Sequence, residues 1–180
     1  MAATVIARPA SSEYVPYFTH YVDLVPEGDI LELLRRQVDE TAALVGKLSD
    51  RDAEYRYAEG KWSIKEVMGH VADAERIFLY RALCFARGEP KELPAWDENE
   101  YVARAAFGAR RLPDLVAELK AARAATVSFY AGLDAEELLR KGTANGRGYS
   151  VRAIAYITAG HERHHGNIIR ERYLPGLKGK

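Results

Sequence analysis

The sequence predicts an all-α protein, a four-helix bundle with long connections and short additional helices. Three observations lead there. Apolar residues recur at helical spacing in four stretches of roughly 20 residues each. Cap and stop signals bracket those stretches. The links between them are rich in turn formers and offer no good strand candidate. At 180 residues the chain suits one domain with a core that needs no covalent staples.

Residues 1–28 read as an irregular N-terminal arm, because Pro9, Pro16 and Pro26 interrupt any helix. Tyr14, Tyr17, Phe18 and Tyr21 can pack this arm on the body, residues 29–180. The first long helix starts at Asp29, an N-cap, and runs through "ILELLRRQVDETAALVGKL" with Ile30, Leu33, Leu34, Val38, Ala42, Val45 and Leu48 on its apolar face. "SDRDAEYRYAEGKW" is a connector. The second helix opens at Ser63, where "SIKE" forms a capping box, with the Ser63 hydroxyl accepting from Glu66 N–H while Glu66 reaches back. It ends at "RGEP", since Gly88 suits the position after the cap and Pro90 forbids continuation. A short helix over 98–107 follows. The third long helix begins near Pro113, a favoured first-turn residue, and runs to 131. "GLDAEELLRKGTANGRGY" is a turn-rich link with a single helical turn in "DAEELL". The fourth long helix spans 150–173 and is stopped by "LPG". These local signals leave the order of the helices around the bundle open.

Twenty-six basic and 26 acidic side chains cancel. A general nucleic-acid binder would show a basic stripe, and Arg110 with Arg111 is too small a patch to be one. The single cysteine, Cys84, excludes an intramolecular disulfide and suits a reducing compartment. The N-terminal stretch lacks the pattern of a signal peptide, and no apolar run reaches the roughly 18 residues of a membrane span. The expectation is a soluble cytoplasmic protein with neither nucleic acid nor membrane as partner.

Three of the five histidines lie within "HERHH", residues 161–165. With about 100° per residue, His161 and His165 fall within about 20° of Ile154, at the centre of the apolar stripe, while His164 sits about 80° away. A lone inward histidine is usually a hydrogen-bonded core residue. A pair one turn apart can instead converge on one ion, provided another ligand faces it. On the second helix, His70 lies at the edge of the face made by Val67, Val71, Ala74 and Phe78, within reach of the interior. His70, His161 and His165 are therefore the candidate metal ligands. Three neutral imidazoles leave room for water or substrate, as a reactive site requires. Cys84 is about 21 Å along the helix from His70, too far to join them, and reads as packing. His20 reads as surface or packing. Asp73, i+3 from His70, has the spacing of a carboxylate that orients it, although solvent exposure is the more common fate; Glu75 and Glu162 are the other nearby acids. Arg163, Tyr57, Trp62, Trp96 and Tyr101 are candidate pocket residues.

"KWSIKEVMGHVADAER", followed far downstream by "SVRAIAYITAGHERHHGNIIRERY", resembles the DinB-like superfamily of metalloenzymes. The shared features are a tryptophan–serine helix start, a G-H-x-x-D/E-x-E segment and a late helix bearing H-x-x-x-H; "YVDLVPEGDILELLRRQ" extends the similarity over most of the chain. The resemblance implies a four-helix bundle with a divalent metal on three histidines, falling here on His70, His161 and His165. It also implies a homodimer and a small-molecule substrate, with a low-molecular-weight thiol as a candidate. Zinc and nickel suit imidazole nitrogen best, with iron and manganese as further options. The leading expectation is thiol S-transfer, in which the metal acidifies the thiol for attack on an electrophile. Its rivals are metal-dependent hydrolysis and a non-catalytic bundle that serves as an interaction or dimerisation protein.

Overall fold

The computed structural model describes residues 5–177. Its elements in chain order are α1 (Thr19–Val22), α2 (Ile30–Val45), α3 (Ile64–Ala86), α4 (Glu98–Arg104), α5 (Leu112–Ala131), α6 (Ala135–Leu139), β1 (Lys141–Ala144), β2 (Arg147–Ser150), α7 (Val151–Ile168) and α8 (Leu174–Leu177), with single 3-10 turns between several of them. The four long helices α2, α3, α5 and α7 begin where the local chemistry dictates. Asp29 accepts from the backbone N–H of Leu31 and Glu32, and Ser63 and Glu66 form the reciprocal capping box. Pro113 occupies the first turn of α5, and Ser150 caps α7 through Ala153 N–H. Gly88, in the left-handed region at φ 74°, carries the chain away from α3.

Around the bundle, α2 packs on α5 and α7, and α3 packs on the same two helices. Thus α2 and α3, consecutive in sequence, occupy one diagonal, and α5 and α7 the other. The long links 46–63 and 132–150 span these diagonals, which explains why short hairpin connections are missing there. No helix among the described residues is long and apolar enough to cross a membrane.

The core is divided. One apolar cluster gathers Leu34, Phe78, Phe85, Tyr130, Ile154 and Ile157 with the arm residues Ile6, Phe18, Val22 and Val25. The other gathers Val38, Val45, Ile64, Met68, Leu115, Leu119, Ile169 and Tyr173. Between them runs a buried polar layer. Gln37 separates the clusters on α2, Arg123 on α5, and His161 with Glu162 on α7, while His70 and Glu75 flank the junction on α3.

Three expectations need correction. The link before α7 contains a two-stranded antiparallel hairpin pairing Lys141 with Ser150 and Ala144 with Arg147. Its Asn145-Gly146 turn has both residues at positive φ, 53° and 66°, the backbone of a tight hairpin. Strands of four residues with glycine in each carry no hydrophobic alternation, so only the turn dipeptide announced them. Leu93 adds one parallel bridge to Ala144, fixing the 90–96 loop beside the hairpin. Second, the N-terminal arm is not irregular throughout. Pro16 starts a 3-10 turn, Pro16–Phe18, that leads directly into α1. Glu13 bonds Ser150 Oγ at 2.7 Å and pairs with Arg152, which holds its carboxyl down to about 2 despite burial and locks the arm to the start of α7. Third, "LPG" does not stop the last helix. A π-helical turn, Ile169–Tyr173, continues it into α8, and the wider turn relieves the clash that Pro175 would bring to an α-helix.

Candidate metal centre

Helices α3 and α7 are neighbours, and their junction brings His70, His161 and His165 together. Each offers a ring nitrogen, and the three nitrogens all lie within 4.8 Å of one another. His70 Nε2 and His161 Nε2 are 3.0 Å apart. Nitrogens on one zinc ion with bonds near 2.1 Å sit roughly 3.0–3.4 Å apart, so the set fits a single divalent ion after a small closing movement of His165.

The surroundings keep these imidazoles neutral. Burial pushes His70 down to about 4. His161 is driven well below the ordinary histidine range, first by burial and then by the neighbouring His165 and His70; His165 is lowered by burial and then by His70. Neutral rings keep the lone pairs that metal ligation needs. Aromatic rings pack against two of them: the Trp62 ring centre lies 4.7 Å from that of His70, and Trp96 stacks on His70 at 5.7 Å with 13° between planes. Tyr21 and Phe78 each meet the His161 ring edge-on at 5.5 Å. Tyr21 reaches this position because Gly160 lets the α1 backbone close on α7; a Cβ there would lie 2.0 Å from the Tyr21 carbonyl oxygen.

The remaining candidates separate clearly. His164 is half-buried, off the triad, with its ring 5.4 Å from Tyr21 and 5.9 Å from exposed His20. Asp73 pairs with Arg76 at 3.6 Å, and His70 Nδ1 is buried with no hydrogen-bond partner among the described residues, so Asp73 does not orient it. Cys84 packs beside the first cluster, away from the histidines. Tyr57 and Trp62 line a pocket of about 200 Å³ that opens on His165. Trp96 lines a second pocket that opens on His70 and His161. Tyr101 is exposed and meets the Trp96 ring edge-on at 5.3 Å. Arg163 lies on the α2 side of α7, near Gln37 and Glu40, away from the triad.

One group escaped the sequence reading: Arg123. Its guanidinium, 2 % exposed, binds Glu75 through two parallel bonds of 2.8 Å, Glu162 at 2.7 Å and the Leu34 carbonyl at 2.8 Å. Gln37 donates to Glu162 at 2.6 Å and to the Ala159 carbonyl at 2.9 Å. Burial opposes the arginine's charge, but Glu75 and Glu162 outweigh it and hold the charged form. This network ties all four long helices together at the level of the triad, and Glu162 immediately follows His161. The missed signal was positional: Arg123 continues the Leu112, Leu115, Leu119 stripe of α5 and precedes Thr126 and Val127 on the same face.

A family model for the DinB superfamily matches residues 33–169, a span that includes all three triad histidines and Arg123. The chain belongs to the DinB superfamily. Like this DinB chain, YfiT from Bacillus subtilis, described as a probable metal-dependent hydrolase with an unusual four-helix bundle topology, has its fold: TM-score 0.75 over 86 % of this chain and 90 % of YfiT, at 16 % identity. No curated protein matches the DinB chain.

Proposed function

We propose that this DinB-superfamily protein is an enzyme that holds one divalent metal ion on His70, His161 and His165 and uses it on a small molecule. The observation that carries the reading is the convergence of three neutral imidazole nitrogens, from two helices, within 4.8 Å, with His70 and His161 buried and His165 half-buried. A buried histidine pair with no ion would need one ring to donate to the other; three rings aimed at a common point match a ligand set better. Bound there, a metal ion with three neutral ligands supplies Lewis acidity that lowers the pKa of water or a thiol.

The chain's own residues then hold the site. Trp62 and Trp96 pack against the His70 ring. Arg123 with Glu75 and Glu162 fixes the spacing of α3 and α7, on which the ligands sit. Hydrolysis is the first reaction to assay, because the structural neighbour YfiT carries that description and water is the simplest occupant of an open position. Thiol S-transfer is the second reading. It is favoured by the two pockets, one reaching His165 and the other His70 and His161, which offer separate places for a thiol and an electrophile.

The test is elemental analysis of protein purified without an affinity tag, for zinc, nickel, iron and manganese, followed by parallel hydrolase and thiol-dependent transferase screens. Stoichiometric metal in the wild type that is lost in His161→Ala supports the proposal. A wild type that neither carries nor takes up a divalent ion sinks it and leaves a non-catalytic bundle.

A further inference from the structure

The pocket beside His70 and His161 contains more positive charge than the fold uses. Arg81 of α3 is 6 % exposed, yet donates to only one protein acceptor, the Pro94 carbonyl at 3.1 Å, and no carboxylate pairs with it among the described residues. Arg147 of β2 points into the same pocket, its guanidinium 4.4 Å from the centre of the Tyr17 ring, and it too has no carboxylate partner among the described residues. Two guanidiniums facing one small space repel each other. Burial first, and Arg147 to a lesser degree, push Arg81 down, while the Tyr149 phenol beside it acts in the opposite direction. The one acid on the pocket's lining, Glu98, is exposed.

A buried arginine without a counter-ion is costly unless something anionic arrives to satisfy its fork of donors. The aromatic walls, among them Phe78 and Trp96, give that ligand an apolar body to rest on. The pocket measures about 110 Å³, on the scale of a cavity that accepts a single ring. We propose that this pocket binds the carboxylate of a small, largely apolar substrate through Arg81 and Arg147, placing the rest of the molecule against His70 and His161. The assignment deepens the metalloenzyme reading by naming a substrate class, and it rests on that reading only for the chemistry that follows binding.

The experiment titrates benzoate, and its neutral isostere benzamide, into the full-length protein by calorimetry, metal-free and with zinc added. Benzoate should bind the metal-free protein at least about tenfold more tightly than benzamide, the difference expected of a charge-assisted pair. Arg147→Ala, at a half-buried position, should weaken benzoate about tenfold and leave benzamide and zinc uptake unchanged; Arg81→Lys, which keeps the charge but loses the fork, should weaken it as well. Equal binding of the two probes, no benzoate binding up to about 20 mM, or variants within about twofold of wild type would each overturn the proposal. Benzoate binding that needs zinc and ignores both arginines marks direct ligation to the metal, and also overturns it. Arginine-dependent benzoate binding in a protein that takes up no zinc would sustain the pocket and reject the metal centre instead.

Discussion

Replacing Arg123 with methionine removes a charge but keeps much of the side chain's volume. The wild-type guanidinium makes four hydrogen bonds, three of them to carboxylates, with both acids as buried as the arginine. Bonds to charged groups are worth about 1.5–3 kcal/mol each, but the desolvation of the arginine offsets part of that sum. Removing one partner of a buried ion pair costs about 3–5 kcal/mol, because the remaining charges stay buried and unpaired. Here two carboxylates are stranded, so Arg123→Met is expected near the upper end, about 4–5 kcal/mol, a large part of a domain's total stability. The assay is urea unfolding of the metal-free protein, followed by circular dichroism at neutral pH. Zinc affinity on the same variant should fall about 10–100-fold, since α3 and α7 lose the tie that spaces their histidines. Removing the stranded charges with Glu75→Gln and Glu162→Gln in the Arg123→Met background should recover much of the lost stability. A loss below about 1 kcal/mol in the single variant would refute the reasoning, as it would mean the buried charges were never coupled.

Acid should destabilise the metal-free protein before carboxylates titrate. His70 falls from an ordinary 6.5 to about 4 when folded, so the unfolded chain binds more protons between those values and stability declines as pH falls through the window. His70 alone accounts for about 3 kcal/mol between pH 7 and 4; His70→Phe should flatten the urea-midpoint profile there, and an unchanged slope would contradict the buried, neutral assignment. Gly160→Ala drives a Cβ into the Tyr21 carbonyl, which cannot rotate away as a side chain can. A cost of about 1–3 kcal/mol, with faster proteolysis of the N-terminal arm, is the expected outcome, and wild-type resistance would argue against the close α1–α7 approach. Ser63→Ala breaks the capping box that starts α3 and should lower stability by about 1 kcal/mol; a shift under about 0.3 kcal/mol would show that tertiary packing alone sets that boundary.

The sequence announced much of the site because some of its geometry is local. His161 and His165 lie one turn apart on a stripe that Ile154 and Ile157 define, and a helical projection places them inward without reference to any other element. His70 was visible only as an edge residue, and Arg123 was missed because a charged residue among alanines resembles a solvated face. Its inward direction follows from Leu119 and Val127 on either side; its tolerance of burial follows from Glu75 and Glu162, which belong to other helices. The hairpin carrying Arg147 was signalled by Asn145-Gly146 alone.

By itself the sequence determined where helices start, which residues share a face, and that one face of the last long helix carries two imidazoles. Caps, glycines and periodicity act over three to five residues, so the chain's order is enough to read them. Only the tertiary structure decided that α2 and α3 sit on a diagonal, that His70 reaches His161 within 3.0 Å, and that Arg123 finds two carboxylates. Those outcomes depend on which apolar stripes bury against each other, a choice made by the whole core at once and written in no single segment.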